Sequence, residues 1–180
     1  MKKLLFTILF LSLSLFAHND FGDEDFEKAQ EAYDRQDYPT AIKFYEKAAN
    51  KNNVDAIWSL GFIYDNIQEH KGINVNLEEA FKWYKKCADL NDEQCLFNIG
   101  SMYHEGHGVK QDYVEAIKWY LKSADKGYID AYYNLGLLYE EGLGVRKNIP
   151  EAIKWYQKAA DLGDEESLAA VKELTLKLPK

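Results

Sequence analysis

One short motif in the chain could supply a nucleophile. Ser123-Ala-Asp-Lys126 matches the Ser-x-x-Lys pattern of enzymes that open β-lactam rings with a serine. The companion Ser-Asp-Asn and Lys-Thr-Gly motifs are absent from the sequence. Ser123 also stands where two other copies of an internal repeat have alanine, Ala48 and Ala159. We therefore interpret Ser123 as a packing residue, because a lone motif without its structural context carries little weight.

Two histidines, His104 and His107, are the nearest approach to a set of metal ligands. A zinc site needs three or four ligands, which a helix presents at i, i+3 or i+4. Glu140 and Leu143 replace these histidines in the next repeat, so the sequence favours a solvated loop and predicts no metal. The nearby Gly-x-Gly pairs have no strand before them and no Lys-Ser/Thr after them, so they do not predict a phosphate cradle. We expect no cofactor and no catalytic step.

An internal repeat provides the elements that would position any functional residue. The pattern Ala-x-Lys-aromatic-Tyr occurs at 41–45, 80–84, 116–120 and 152–156, in steps of 39, 36 and 36 residues. A second marker follows the same steps: Leu60-Gly61, Ile99-Gly100 and Leu135-Gly136. The three extra residues of the longer step therefore lie between Gly61 and Ala80, where they lengthen one loop. Self-similarity at this period is typical of stacked helical hairpins.

Each period predicts two helices, and the ends of the second helix are consistent. Residues that can accept from the free amides of its first turn precede every marker alanine by four positions: Asp37, Asn76, Asp112 and Asn148. Residues that tolerate the left-handed turn closing a helix follow it: Asn52, Asn91, Gly127 and Gly163. The glycines inside the first helices cost about 1 kcal/mol each relative to alanine, so their recurrence predicts a close approach of helix backbones there.

Composition and the N-terminus limit the partners and the location. The 180 residues are 47% hydrophobic and have a net charge of −8, which excludes the clustered basic surface that nucleic acids need. Residues 1–17, with Lys2 and Lys3 before an apolar run, are interpreted as a secretory signal peptide whose apolar run is shorter than an ordinary membrane span. An uncleaved N-terminal anchor is the alternative. We expect a secreted or periplasmic protein with no stable membrane insertion after cleavage.

The combined motifs resemble a known family. The 36-residue period, the Leu-Gly-x-x-Tyr first helix at 135–139, the Gly-x-Gly-Val loops at 106–109 and 142–145, and the Ala-x-x-Trp-Tyr second helix look like SEL-one-like repeats, relatives of the tetratricopeptide repeat. The resemblance implies an all-α, right-handed α-solenoid of antiparallel helix hairpins. It divides the single repeat domain at 18–180 into a tetratricopeptide-like hairpin at 24–52, three SEL-one-like repeats at 53–163 and a capping helix at 164–178.

The two cysteines lie on either side of one junction between repeats. Cys87 and Cys95 replace small residues at a point where a second helix turns into the next first helix, and small residues there imply close backbones. An exported protein sits in an oxidising compartment, so we expect a Cys87–Cys95 disulfide, with two free buried thiols as the alternative. The pair also resembles the secreted cysteine-rich Hcp group of SEL-one-like proteins, whose members are often catalogued as penicillin-binding or β-lactamase-like.

One face of the first helices is the candidate binding surface. In tetratricopeptide-like stacks the first helices line the concave surface, and Asn98 and Asn134 correspond to the asparagine that often grips a peptide backbone in such relatives. A side-chain amide suits this task because it donates and accepts at once. Phe97 and Tyr133 lie beside them and could add apolar contact. The alternative is that both asparagines only order the repeat.

The sequence therefore predicts an exported repeat protein that binds a protein or peptide partner on its concave face. The acidic balance of the chain favours a neutral or basic ligand. The alternative function, implied only by the resemblance to the Hcp group, is a penicillin-binding protein with weak β-lactamase activity.

Overall fold

A computed structural model of the protein describes residues 23–65 and 74–177, and within these ranges it contains nine α-helices and no strand. The helices are α1 (Glu24–Asp34), α2 (Tyr38–Ala49), α3 (Val54–Asp65), α4 (Leu77–Asp89), α5 (Glu93–Glu105), α6 (Tyr113–Ala124), α7 (Ile129–Glu141), α8 (Ile149–Asp161) and α9 (Glu165–Lys177). The predicted signal peptide lies outside the described residues, as does most of the lengthened loop.

The helices form a linear stack of hairpins. The main helix–helix contacts join consecutive helices, from α1 against α2 through to α8 against α9. The prediction of an all-α solenoid is therefore confirmed. We call α1, α3, α5 and α7 the first helices, and α2, α4, α6 and α8 the second helices, of the four hairpins. α9 follows the last hairpin and packs on α8.

The predicted helix ends are present in every hairpin. The side chains of Asp37, Asn76, Asp112 and Asn148 each accept a hydrogen bond from the backbone N–H three residues further on, at 3.0–3.3 Å. After the second helices, the backbone enters the left-handed region at Asn52 (φ 62°), Asn91 (φ 66°), Gly127 (φ 88°) and Gly163 (φ 99°). These caps set the length of each second helix and allow the next first helix to begin within a few residues.

A buried tyrosine packs on the interior glycine of each of the last three hairpins. A Cβ added at Gly61 would lie 2.6 Å from Cδ1 of Tyr84, and Gly100 has the same relation to Tyr120. Gly136 lies against Tyr156 in the same way, with a distance of 2.7 Å. The sequence predicted a close approach of helix backbones at these glycines. In the structure a tyrosine ring of the second helix takes the space, and the glycine is required because any side chain would displace that ring.

The hydroxyl group of each of these tyrosines reaches a polar residue near the C-terminal end of the same first helix. The hydroxyl of Tyr156 donates to Oε2 of Glu140 at 3.0 Å, and that of Tyr120 lies 3.4 Å from Nδ1 of His104. The carboxylate of Asp65 occupies the equivalent position, and it contributes after burial to the raised pKa of Tyr84. The ring and the hydroxyl together fix the axial position of one helix against the other.

We predict that Gly100→Ala destabilises the protein even though alanine is the better helix former by about 1 kcal/mol. Its Cβ would overlap the ring of Tyr120, and overpacking of this kind costs about 1–3 kcal/mol in unfolding free energy. Urea denaturation followed by circular dichroism measures the loss. Gly127→Asn is the matched control, because Asn52 and Asn91 already adopt this backbone conformation at equivalent positions. Equal stability of Gly100→Ala and the wild type would contradict the packing described here.

Because of the buried tyrosines, the free energy of unfolding should also depend on pH in the alkaline range. Burial raises the pKa of Tyr84, Tyr120 and Tyr156 above the ordinary value of 10. The folded state thus favours the neutral hydroxyl, and this stabilisation is present below about pH 10 and lost as the pH rises further, where the unfolded chain ionises. In an absorbance titration at about 295 nm, we expect these tyrosines to ionise only with the loss of helical circular dichroism. A single step near pH 10 for all 13 tyrosines, with helicity retained, would contradict this.

Candidate functional site

A groove crosses three consecutive first helices. It has a volume of about 310 Å³. Its lining comes from α1 and α3 and from the N-terminal end of α5: Phe26, Gln30, Val54, Asp55, Trp58, Ser59, Asp92 and Gln94. We call it the first-helix groove. A smaller depression of about 190 Å³ adjoins it and shares Gln30, Trp58 and Ser59 with it. The two together form a surface to which successive hairpins contribute side chains.

Trp58 is the central aromatic residue of this surface. Its ring stacks on Phe62, one helical turn further along α3, with the ring centroids 5.2 Å apart and the planes within 10° of each other. The side chain is half-buried, and its indole N–H is buried without a hydrogen-bond partner among the described residues. A half-buried, rigid aromatic side chain in a groove is the kind of residue that contributes most to protein recognition.

The predicted peptide-binding residues are placed at equivalent positions further along the stack. Asn98 and Asn134 are half-buried, and Nδ2 of Asn134 donates to the backbone carbonyl of Asp130 at 2.9 Å. Phe97 contacts Tyr120 and Tyr128, with ring centroids 5.4 and 5.1 Å apart.

The ring of Tyr133 lies 5.5 Å from that of Tyr156. Phe97 and Tyr133 therefore pack partly against neighbouring rings. Neither these two residues nor the two asparagines line the first-helix groove.

Sequence reasoning missed the groove itself. Trp58 is equivalent to Phe97 and Tyr133, so an aromatic residue at this position in all three hairpins was the available signal. Ser59 replaces the asparagine of the later repeats, and its hydroxyl donates to the carbonyl of Asp55 at 2.7 Å. This hairpin therefore lacks the side-chain amide that marks the equivalent position in the next two hairpins.

Charge is divided between the two sets of helices. The four first helices contain twelve Asp and Glu residues and one Lys, whereas the four second helices contain seven Asp and Glu residues and nine Lys. The first-helix surface is thus strongly acidic, although the second helices are close to neutral. Among the residues that the structure describes, no Lys or Arg lines the first-helix groove. The arrangement attracts cationic groups to this side of the molecule.

A disulfide links Cys87 at the end of α4 to Cys95 at the start of α5, with Cα atoms 5.7 Å apart. This confirms the predicted pair. The bond ties the second hairpin to the third beside Asp92, whose Oδ1 accepts from the backbone N–H of Cys95 at 2.9 Å. It therefore fixes the part of the groove where α5 begins. Structural disulfides of this kind are typical of oxidising, extracytoplasmic compartments.

The sequence profile of the Sel1 repeat matches residues 32–53, 54–92, 94–128 and 129–164, which is most of the chain. The chain belongs to the Sel1 repeat family.

Solved Sel1-like structures share the fold. A Sel1 repeat protein from Oxalobacter formigenes is 40% identical with a TM-score of 0.71, over 81% of this chain and 58% of that one. The protective antigen c5321 of uropathogenic Escherichia coli, which displays an SLR fold, is 35% identical with a TM-score of 0.72, over 76% and 29% of the two chains. Cysteine-rich protein B of Helicobacter pylori is 27% identical with a TM-score of 0.55, over 82% and 97%.

A curated relative is a much longer protein. HRD3 of Candida glabrata, a component of an ERAD-associated E3 ubiquitin-protein ligase, is 29% identical over 118 residues. The match covers 56% of this chain and 13% of HRD3. This Sel1 repeat chain therefore spans about an eighth of that relative, 29% of the Escherichia coli protein and 58% of the Oxalobacter formigenes protein, whereas the match covers 97% of the Helicobacter pylori protein.

The other candidate residues of this Sel1 repeat protein have structural partners. Ser123 is fully buried, and its hydroxyl donates to the backbone carbonyl of Glu93 at 2.7 Å, whereas Lys126 is exposed. This arrangement gives no support to the β-lactamase-like alternative. Nδ1 of His107 lies 2.8 Å from Oε2 of Glu105.

Within residues 23–65 and 74–177, the one group of three potential metal ligands whose ligand atoms lie within 4.8 Å of one another is Cys87, Asp92 and Cys95. Both sulfur atoms of this group are bonded to each other in the disulfide. Among the helices of these same ranges, none is both long and apolar enough to cross a membrane.

We predict that Cys87→Ala/Cys95→Ala lowers the free energy of unfolding by about 2–3 kcal/mol, because the short closed loop restricts the unfolded chain. Alanine is the matched replacement, since Ala48 and Ala56 occupy the equivalent buried positions. Urea denaturation with and without a reductant measures the effect, and the reductant should change the wild type but not the variant. Alkylation of both wild-type thiols without prior reduction would show that the bond is absent.

Proposed function

We propose that this protein is exported and binds an extended segment of a partner protein on the surface of its first helices, the concave surface in tetratricopeptide-like stacks. The observation that carries the proposal is the first-helix groove, to which α1, α3 and α5 contribute with Trp58 at its centre. A groove that crosses parallel, equally spaced helices suits an extended chain, because such a chain offers backbone groups at a regular spacing.

Asn98 and Asn134 continue the binding surface beyond the groove. They occupy the position of Ser59 in the next two hairpins, so a segment that leaves the groove meets one amide per repeat. The side chain of Asn134 uses one of its donors on Asp130, and its carbonyl oxygen is left to accept from a backbone N–H. Phe97 and Tyr133 precede these asparagines in the chain and offer apolar contact in the same two hairpins.

Two observations support export. The Cys87–Cys95 disulfide fits an oxidising compartment, and residues 1–17 have the charge and apolar pattern of a secretory signal peptide. HRD3, which shares the repeats, is itself a component of a larger assembly, and this agrees with a role in holding a partner. Cleavage after residue 17 would leave a repeat protein in the periplasm or outside the cell.

The test begins with the partner. Crosslinking pull-down from an envelope extract identifies a captured protein, and a tiled peptide array of that protein identifies the bound segment. Fluorescence anisotropy then gives the dissociation constant of the labelled segment for each variant. Trp58→Ala should weaken binding by at least about 2 kcal/mol, because truncation of a central aromatic anchor typically has this effect. Asn98→Ala/Asn134→Ala should weaken binding by about 1–3 kcal/mol, because backbone groups of the segment lose their hydrogen bonds.

Trp155→Ala is the matched control for Trp58→Ala. Trp155 is also half-buried with an unpartnered indole N–H among the described residues, but it lies on the second helix α8. Both variants should lose similar stability, and only Trp58→Ala should lose affinity. Equal affinity of Trp58→Ala and Trp155→Ala would show that the segment binds elsewhere. Unfolding of the double asparagine variant would show that these residues order the repeat.

A further inference from the structure

We infer that the first-helix groove receives a lysine or arginine side chain, so that the bound segment is basic. This inference rests on the proposed function and adds the chemistry of the ligand. The groove offers two carboxylates, those of Asp55 and Asp92, beside the indole of Trp58. Carboxylates and an aromatic face are the two kinds of group that stabilise an ammonium or guanidinium ion on a protein surface.

The carboxylates of the groove have no basic partner among the residues that the structure describes. Among residues 23–65 and 74–177, no Lys, Arg or His forms an ion pair with Asp55 or Asp92. Asp92 uses Oδ1 to cap α5, which leaves Oδ2 for a ligand. The acids beside the groove differ in this respect, because Lys51 contacts both Asp23 and Asp25, at 2.9 and 2.6 Å.

One repeated aromatic position on each set of helices differs in the same way. On each second helix the aromatic residue just before the core tyrosine has a lysine three residues further along the helix. Nζ of Lys122 lies 3.9 Å from the ring centroid of Trp119, that of Lys158 lies 4.1 Å from Trp155, and Lys47 and Lys86 lie at 4.6 and 5.4 Å from Phe44 and Trp83.

The position three residues after Trp58 is Gly61, which the packing of Tyr84 requires. In the part of the chain that the structure describes, no Lys or Arg lies over the ring of Trp58. In this proposal the ligand supplies the cation for this ring.

The next junction along the stack is less suited to a cation. The pocket there is lined by Glu93, Tyr128 and Asp130, but Lys126 also lines it and offsets part of the negative charge. The described lining of the first-helix groove includes two carboxylates and no Lys or Arg, so a basic side chain gains more there than at this next junction. An acidic segment would instead meet like charge along the whole first-helix surface.

Three matched dodecapeptides test this inference. They share one sequence of Ser and Ala except at three spaced positions, which are Lys, Gln or Glu. Fluorescence anisotropy with the full mature protein at about 20 mM and about 200 mM salt gives their affinities. We expect the Lys peptide to bind at least about tenfold more tightly than the Gln peptide at low salt and the Glu peptide to bind more weakly still. The advantage of the Lys peptide should shrink at the higher salt concentration.

The deciding variant is Asp55→Asn/Asp92→Asn. Asparagine caps a helix about as well as aspartate, so α5 keeps its N-cap while the groove loses two charges. We expect the preference for Lys over Gln to fall by at least about fivefold. Asp125→Asn/Asp161→Asn is the control, because it removes two exposed charges at the ends of second helices. It should keep the preference of the wild type.

The outcomes separate the two proposals. If the peptide from the captured partner binds at the groove and the three dodecapeptides show no preference for Lys, the inference is wrong and the proposed function stands. If the groove and control variants lose the preference equally, the preference reflects net charge, and the inference is also wrong. If no peptide binds, the proposed function fails and the inference fails with it.

Discussion

The packing of one tyrosine on one glycine sets the geometry of each of the last three hairpins. Tyr120, for example, is buried, and its ring occupies the space that a side chain at residue 100 would need. The first hairpin replaces this contact: the ring of Tyr45 lies 5.7 Å from that of Phe26, and its hydroxyl donates to Oε1 of Gln30 at 3.3 Å. Phe26 and Gln30 line the first-helix groove, so the residues that pack on the core tyrosine of α2 also shape the candidate site.

The same constraint separates the chemistry of the two sets of helices. On a second helix an aromatic residue is followed three positions later by a lysine. The ammonium group of that lysine forms a cation–π contact with the aromatic ring. A first helix must keep small or apolar residues toward the tyrosine, and the four first helices together contain twelve Asp and Glu residues against one Lys. The division of charge accompanies this packing along the stack, and it gives the stack one acidic surface without any single strongly charged cluster.

The fold could be predicted from the sequence because the same types of cap, turn and packing residue recur at equivalent positions of the repeats. The caps at Asp112 and Asn148, the left-handed turns at Asn52 and Gly127, and the cysteine pair could all be located by comparing equivalent positions. The groove could not be located in this way, because it forms where the residues of successive repeats differ. Three helices contribute dissimilar residues to it, and Trp58 is distinguished from its equivalents Phe97 and Tyr133 only by what neighbouring hairpins place beside it. Burial likewise decides the role of Ser123, which the motif alone left open.

The central claim is that a ligand binds on the first helices at Trp58. The most direct measurement is a titration of ¹⁵N-labelled protein with the Lys dodecapeptide, followed by amide and indole resonances in two-dimensional NMR. The account predicts that the largest shifts belong to the Trp58 indole and to the amides of Asp55 and Gln94, with those of Trp119 and Trp155 on the second helices unchanged. Shifts concentrated on the second helices, or none at a saturating concentration of peptide, would contradict it.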